Sequence, residues 1–226
     1  MSLPDLTSLW LTARLAFVTT LVLLLIGTPI AWWLAQTRSR IKPVIEALIA
    51  LPLVLPPTVL GFYLLIAMSP EAPFGGFWMQ ATGDTLSFSF TGLVIGSVIY
   101  SFPFMIQPLQ TAFEGPVQQA MRTAASLRAS HLDAFFSVAV PMSIRGFVTA
   151  SVLSFAHTLG EFGVVLMVGG NIPDRTRVAS IEIYENVETL NYADAHALSL
   201  ILLIVSFATL FCVFLFNRRG GAHVRL

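Results

Sequence analysis

Apolar and polar positions alternate along the chain in long blocks, which leaves five apolar runs separated by polar loops. A bilayer core of about 30 Å needs roughly 20 apolar residues per helix, and each run is long enough to cross it once. We therefore predict an all-α, polytopic membrane protein with five transmembrane helices in a single domain, residues 1–226. The predicted spans are residues 9–34, 44–68, 88–109, 144–168 and 195–216.

Composition supports a membrane protein. The 226 residues are 56% hydrophobic and 11% charged, with a mean hydropathy of +0.81, which is too apolar for an ordinary soluble domain. A formal net charge of zero argues against a nucleic-acid partner, because nucleic-acid binding needs a basic surface. The first apolar run is too long for the core of a signal peptide, so we expect it to be retained as a span.

Basic residues predict the orientation of the chain. With five crossings, nine of the twelve Lys and Arg residues fall on one side, and basic loops stay on the cytoplasmic side of a membrane. We therefore predict an N-terminus outside and a C-terminus in the cytoplasm. The nine residues lie in the first loop, the third loop and the tail: Arg38, Arg40, Lys42, Arg122, Arg128, Arg145, Arg218, Arg219 and Arg225.

The second predicted span contains three prolines within six residues, in the segment LPLVLPPT at residues 51–58. Proline removes a backbone donor and clashes with the preceding turn, so the helix must bend or unwind here. The bend could line a substrate path, with Thr58 as a candidate path residue, or it could be a structural kink buried between helices. Outside the spans, residues 171–194 carry a helical pattern that predicts a short amphipathic helix at the outer membrane interface.

Polar residues inside the third and fourth spans are further candidates for the path. Ser97 and Ser101 lie four residues apart and share a helix face, where they could line a pore or form interhelical hydrogen bonds. Ser154, His157 and Glu161 form one polar stripe down the predicted fourth helix. Glu161 could instead be structural, capping freed backbone donors or pairing with His157, and its charge argues against direct anion binding.

Catalytic and metal sites are not expected. The sequence has no G-x-x-x-x-G-K-[ST] phosphate loop, no G-x-S-x-G elbow and no H-E-x-x-H helix. The four histidines are scattered without the spacing of metal ligands. They are His131, His157, His196 and His223.

One polar stretch, residues 114–141, interrupts the apolar pattern between the third and fourth spans. Residues 118–134 lack Pro and Gly and are rich in Ala, Leu, Arg and Gln, which predicts one helix bracketed by Gly115-Pro116 and Pro141. Its small residues would let another protein approach, and its Leu and Phe side chains, including Phe135, could anchor that protein. It could equally be a connecting helix on the membrane surface.

This stretch resembles the cytoplasmic E-A-A-x3-G-x9-I-x-L-P motif of binding-protein-dependent ABC importer permeases. Pro141, Val140, Val138 and Ala124 fit the motif in register. Arg122, Thr123 and Arg128 stand where the motif has Glu, Ala and Gly. By this resemblance, contact with an ATPase is assigned to Gln118, Arg122, Thr123, Ala124, Leu127, Arg128, Leu132 and Pro141.

Two longer segments sharpen the resemblance. LPLVLPPTVLGFYLL at residues 51–65 and HTLGEFGVVLMVGGNIP at residues 157–173 are similar to segments of molybdate importer permeases. The resemblance implies a type I ABC importer permease in the bacterial inner membrane, carrying molybdate and also tungstate. It implies a homodimer, two cytosolic ATP-binding subunits that use the ATP, and an external oxyanion-binding protein, with no cofactor in this chain.

Three other functions stay open from the sequence. A permease for sulfate or thiosulfate would share the same architecture. An ion-coupled secondary carrier could use His157 and Glu161 as a proton relay, although the sequence has no inverted internal repeat. A membrane scaffold without transport activity would leave the prolines and the polar stripe incidental.

Overall fold

Twelve α-helices lie within residues 6–218, the part of the chain that the structure describes. A computed structural model describes residues 6–218, with side chains through residue 215, and the regular structure in this range is helical. Three helices are each long and apolar enough to cross a membrane: α1 (Leu6–Gln36), α5 (Phe90–Phe113) and α12 (Tyr192–Arg218). Two bent helix pairs also pass this test, Lys42–Leu53 with Pro57–Met68 and His131–Met142 with Ile144–Leu159, and counting each pair as one span raises the number of crossings to five.

Nine shorter helices complete the set: α2 (Lys42–Ala50), α3 (Pro57–Met68), α4 (Pro73–Thr82), α6 (Pro116–Ser126), α7 (His131–Ala134), α8 (Val140–Met142), α9 (Ile144–Leu159), α10 (Gly163–Gly169) and α11 (Ala179–Glu188). A 3₁₀ turn at Leu51–Leu53 follows α2, and a π-helical turn at Phe135–Ala139 joins α7 to α8. We call the segment from α6 to α8, residues 116–142, the elbow.

The core lies where α1, α5 and α9 pack together. Leu23 and Leu34 of α1 and Met105 and Phe113 of α5 are fully buried there. The α12 helix packs at the edge against α9 and α11, and its Phe207 points outward with 67% of its surface exposed. Lipid tails are as apolar as such a side chain, so a face of this kind is suited to the bilayer.

The bend predicted in the second span is confirmed. The helix tightens into the 3₁₀ turn after Ala50 and resumes at Pro57, and the two halves meet at an angle of 106°. Pro56 and Pro57 supply no backbone N–H, and Pro57 occupies the first turn of α3, where a missing donor costs nothing.

The fourth span is broken, so the predicted continuous helix over residues 144–168 is wrong. The α9 helix ends at Leu159 and α10 begins at Gly163, which leaves Glu161 in the break rather than on a helical stripe with Ser154 and His157. Gly160 lies inside this break. The hydroxyl of Ser180 in α11 donates to the freed carbonyl of Glu161 at 2.6 Å, so the break is supported by a neighbouring element.

The single helix predicted over residues 118–134 is also wrong. The α6 helix stops at Ser126, and Arg128 adopts a left-handed conformation with φ of 63°. The Arg128 N–H donates to Ala125 and the Ala129 N–H to Ala124, the hydrogen-bond pattern of a Schellman cap. Ser130 then caps α7 by accepting from the Asp133 N–H.

Some expectations about the loops are confirmed and others are wrong. Residues 171–194 do contain a short helix, α11, as predicted. The loop at residues 69–87 contains α4, which was not predicted, and Pro141 lies within α8 instead of ending a helix. The predicted basic tail residues Arg219 and Arg225, together with His223, lie outside the described residues.

The Schellman cap leads to a stability prediction. A non-glycine residue in the left-handed region lowers the free energy of unfolding by about 1–2 kcal/mol relative to a residue without strain. Glycine avoids this strain but has more conformational freedom to lose on folding, which offsets part of the gain. Arg128→Gly should therefore raise the free energy of unfolding by about 0.5–1 kcal/mol. Thermal unfolding of the purified protein in detergent measures it.

The matched control is Ala129→Gly, one residue beyond the left-handed position. It should lower the free energy of unfolding by about 0.5–1 kcal/mol, because only the entropic cost of glycine applies there. If both substitutions lowered the thermal midpoint equally, the left-handed position would carry no strain.

Candidate functional site

The breaks in the second and fourth spans face each other across a groove of about 560 Å³. The α10 helix packs directly on α3, and a Cβ atom at Gly163 would lie 2.6 Å from the Cβ of Pro57. Only glycine permits so close a contact. The groove is lined by Pro57, Thr58, Tyr100, Ala156, His157, Gly160, Glu161, Phe162 and Gly163.

Three of the six predicted path residues line the groove, and the other three lie behind it in the contact between α5 and α9, which we call the seam. Thr58, His157 and Glu161 line the groove. Ser97, Ser101 and Ser154 are fully buried, on α5 and α9. The structure therefore gathers the predicted residues at one level of the bundle, although they come from three separate predicted spans.

A chain of hydrogen bonds ties the seam to the groove. The Ser101 hydroxyl lies 2.9 Å from Nδ1 of His157 and 3.0 Å from Oγ1 of Thr158. Thr158 donates its single proton to the carbonyl of Ser154 at 2.9 Å. Ser101 must then donate to Thr158, and His157 must donate from Nδ1 to Ser101. In its neutral form, His157 therefore keeps an unprotonated Nε2.

Two aromatic rings hold the imidazole in place. Phe104 stacks on His157 with ring centroids 4.1 Å apart, and the Tyr100 ring lies 4.8 Å away. Together with the bond to Ser101, these contacts fix both the plane and the rotation of the His157 ring.

Glu161 is buried without a partner. Its surface is 4% exposed, and neither carboxyl oxygen has a hydrogen-bond partner. The expected structural roles of this carboxylate, pairing with His157 or capping freed backbone donors, are therefore both wrong. The Ser97 side chain, which is fully buried in the seam behind the groove, lies beside the carboxyl group.

Fixed positive charge is missing from the groove lining. The described salt bridges involve Lys42 and Arg177, and neither residue lines the groove. Arg14, the cation within the first span, lies over the ring of Phe90 at 4.5 Å and does not line it either. The groove can therefore hold an anion only through neutral donors and backbone dipoles.

A second candidate surface lies on the elbow. Leu127 and Leu132 are 78% and 74% exposed on either side of the turn between α6 and α7. Arg122, Thr123, Arg128 and Pro141 are exposed as well, and Ala124 is half-buried. An exposed pair of leucines beside arginines is typical of a protein contact.

Two of the residues expected at the partner contact hold the elbow to the bundle. Gln118 donates from its side-chain amide to the carbonyl of Ala35 at the end of α1. Phe135 turns inward and packs edge-on against Trp32, with ring centroids 4.9 Å apart, so its expected role as an anchor for a partner is wrong.

A polar network connects the start of α2 to the end of α5, next to the elbow. Lys42 Nζ lies 3.6 Å from a carboxylate oxygen of Glu46 and 3.6 Å from one of Glu114. Gln110 donates to the same two carboxylates at 2.7 and 3.3 Å. These contacts couple the end of α5, next to the elbow, to α2, which leads into the bend of the second span.

Sequence reasoning did not assign Tyr100, Phe104 or Thr158 to the site. Each had a usable signal: Thr158 follows Ser154 by four residues, and Tyr100 and Phe104 are four apart around Ser101. Aromatic side chains within an apolar span do not stand out as polar candidates, and the role of these residues in positioning His157 becomes visible only from their contacts.

Comparison with known proteins gives a family and close relatives. A family model described as "Binding-protein-dependent transport system inner membrane component" matches residues 27–225. The molybdenum transport system permease protein ModB of Azotobacter vinelandii is 53% identical over 210 residues, covering 93% of both chains. ModB of Escherichia coli strain K12 is 31% identical, covering 82% of this chain and 81% of the relative.

A more distant relative and two solved structures extend the comparison. The probable sulfate transport system permease protein cysT of Chlorella vulgaris is 30% identical, covering 90% of this chain and 76% of the relative. A structure of inward-facing conformations of the MetNI methionine ABC transporter superposes with a TM-score of 0.71 at 16% identity, covering 94% of both chains. A bacterial ABC transporter that imports alginate gives 0.72 at 14% identity, covering 97% of this chain and 81% of that one.

The contact between the two breaks can be tested with two glycines of one loop. Gly163→Ala should lower the free energy of unfolding by about 1–3 kcal/mol, because the new methyl group overlaps the rigid ring of Pro57. Gly160→Ala is the control, since the nearest atoms to its Cβ would be 4.0 Å away. Equal thermal midpoints for the two variants would contradict the packing of α10 on α3.

Proposed function

We propose a function from one premise: the chain belongs to the family of binding-protein-dependent transport system inner membrane components. It acts as the membrane permease of an ATP-driven importer that carries molybdate, and tungstate by the same path. The observation that carries this proposal is the 53% identity to the Azotobacter vinelandii molybdenum permease over 93% of both chains.

The groove is the translocation site in this proposal. Thr58 stands in the first turn of α3, where Pro57 has no N–H and the N–H groups of Val59 and Leu60 donate to the carbonyl of Pro56. The donors that this turn offers to an anion are therefore the N–H and the hydroxyl of Thr58. Broken helices whose ends face a cavity are a recurrent arrangement in transporters. Since no fixed cation lines the groove, molybdate would be held weakly there and released onward, which suits a path better than a storage site.

The elbow receives the motion of the ATPase. The exposed Leu127 and Leu132 dock on the ATPase, and closure of two ATPases around ATP moves the elbow. The contacts of Gln118 and of the Lys42 network then transmit that displacement to α1 and α2. The chain itself contributes no nucleotide site and no cofactor, and ATP is used by its partner.

The assembly follows from the same premise. Two copies of the chain pair around a shared path, two cytosolic ATP-binding subunits hold the elbows, and an external oxyanion-binding protein delivers molybdate. The N-terminus lies outside and the C-terminus in the cytoplasm, so the basic residues of the elbow face inward. Charge bias of this kind supports the orientation.

Sulfate is the second candidate substrate. The 30% identity to the Chlorella vulgaris sulfate permease favours it, and sulfate shares the tetrahedral shape and charge of molybdate. Neutral donors in the groove do not distinguish the two ions, so selectivity would rest mainly with the binding protein. Ion-coupled transport is not retained, because the family is one of binding-protein-dependent systems.

Uptake of labelled molybdate tests the proposed substrate. Cells lacking this chain should lose most high-affinity uptake at low molybdate concentration, and a plasmid copy should restore it. Labelled sulfate is measured in the same cells as the control. Molybdate uptake that is unchanged by the deletion would contradict the proposal, and loss of sulfate uptake alone would favour the second candidate.

Co-purification of the ATPase tests the elbow. Leu127→Glu should weaken retention of the ATPase by roughly tenfold or more, because it places a charge in an apolar contact. Leu190→Glu changes an equally exposed leucine at the other end of the bundle and should leave retention unchanged. Retention by both variants would exclude this face of the elbow as the ATPase contact.

A further inference from the structure

A cavity of about 360 Å³ lies between the end of α1 and the elbow, and it shares no lining residue with the groove. On the elbow side it is lined by one face of α6, whose residues follow at spacings of three and four: Gln118, Met121, Arg122 and Ala125. Gln118, on the same face, bonds to the Ala35 carbonyl at the end of α1. This face therefore turns towards the bundle, away from the exposed leucines that we assign to the ATPase.

Part of the lining is cationic. Arg38, in the loop after α1, and Arg122 of α6 both line the cavity and are exposed, and His131 at the start of α7 adds a ring nitrogen. Among the described residues that line the cavity, none is acidic. The salt bridges in the part of the chain that the structure describes take their cations from Lys42 and Arg177. Both arginines therefore line the cavity without a carboxylate partner.

The rest of the lining is mainly apolar. It includes Trp32, Met121 and Ala134. The Trp32 ring is held in place by edge-on contacts with Phe113 and Phe135, with ring centroids 5.1 and 4.9 Å apart. A cavity that combines arginines with apolar surface suits an amphipathic anion better than an inorganic ion, which has no apolar part to bury.

The cavity lies at the boundary of the membrane-spanning part. The α1 helix ends at Gln36, and the polar residues Thr37 and Arg38 that follow it line the cavity. Trp33, near the end of α1, is 46% exposed, and tryptophan is enriched where lipid tails meet the head groups. The position therefore corresponds to the depth of the lipid phosphates.

We propose that this cavity binds the phosphate of an anionic phospholipid. The guanidinium groups of Arg38 and Arg122 bind the phosphate oxygens, because the planar arginine fork forms paired hydrogen bonds with phosphate. Trp32 and Met121 contact the glycerol and the first acyl carbons. Basic pockets between membrane helices are known sites for lipid head groups.

A bound lipid would join two elements, because Arg38 follows α1 and Arg122 belongs to the elbow. The phosphate adds a contact beside the bond from Gln118 to Ala35, and it holds the elbow against the bundle through a component of the membrane itself. This inference goes beyond the proposed transport function and does not depend on which anion the chain carries.

Lipid binding can be measured by native mass spectrometry of the purified chain in neutral detergent, with dioleoyl phosphatidylglycerol as the probe. Arg38→Ala and Arg122→Ala should each weaken binding roughly fivefold, and the double variant roughly 25-fold. Arg40→Ala is the matched control, since Arg40 is exposed two residues from Arg38 but does not line the cavity. Its binding should stay within about twofold of the unaltered chain. Thermal midpoints show that each variant has folded.

Two further probes identify the source of the phosphate. Dioleoyl phosphatidylcholine has the same acyl chains and a phosphate but no net charge, so it should bind more weakly than phosphatidylglycerol. Inorganic phosphate at equal concentration should leave most of the phosphatidylglycerol bound, because it lacks the apolar part. Displacement of the lipid by inorganic phosphate would overturn the lipid as the occupant.

The remaining outcomes decide whether the cavity is the site. Equal losses from Arg40→Ala and Arg122→Ala would reduce the binding to a general effect of surface charge and overturn the proposal. Unchanged lipid binding by the double variant would also overturn it, and loss of the ATPase from that variant would then assign the cavity to the ATPase contact. Molybdate uptake enters none of these outcomes, so failure of the proposed substrate would leave the lipid site standing.

Discussion

Lipid cannot hydrogen-bond to a polypeptide backbone, and this constraint governs the arrangement of the bundle. Two of its spans are interrupted, and each interruption frees polar backbone groups that must be covered by protein or by a water-accessible cavity. The chain meets the requirement by placing the two interruptions together and closing the second with the hydroxyl of Ser180. The groove lies where the two breaks meet. Polar side chains such as Thr58 and His157 line it at the same place where the backbone has free polar groups.

The sequence predicted the helical class of the chain and the first of these breaks, because both depend on local properties. Three prolines within six residues remove three backbone donors and clash with the preceding turns, so the bend near Pro56 was foreseeable. Gly160 and Gly163, on either side of Glu161, left two alternatives open in the sequence, a local break or the close approach of a neighbouring backbone. The structure has both, because the helix is interrupted at Gly160 and α3 approaches at Gly163. Long-range packing decides that position, and a single sequence does not display it.

In the candidate site, too, local spacing was predictable from the sequence and the contacts between helices were not. Spacing identified His157 and Glu161, and the predicted path residues do gather at one level of the bundle. Spacing also suggested that the two side chains pair, whereas His157 turns to Ser101 and leaves Glu161 alone. In the elbow, Arg128 stands where the motif of the resembled family has glycine. The left-handed backbone there shows that this position is a helix cap, for which glycine is favoured by conformation more than by size.

The close contact of Gly163 with Pro57 has a consequence for how such a bundle can move. Half of one span and half of another are joined without room for a side chain between them, so α3 and α10 cannot separate without losing that contact. The α10 helix is packed just as closely on α5, where a Cβ atom at Gly169 would lie 2.5 Å from Cδ2 of Leu93. Two interrupted spans and one unbroken span are therefore coupled at this level, and any motion that carries α3 must carry α10 and the first part of α5 with it.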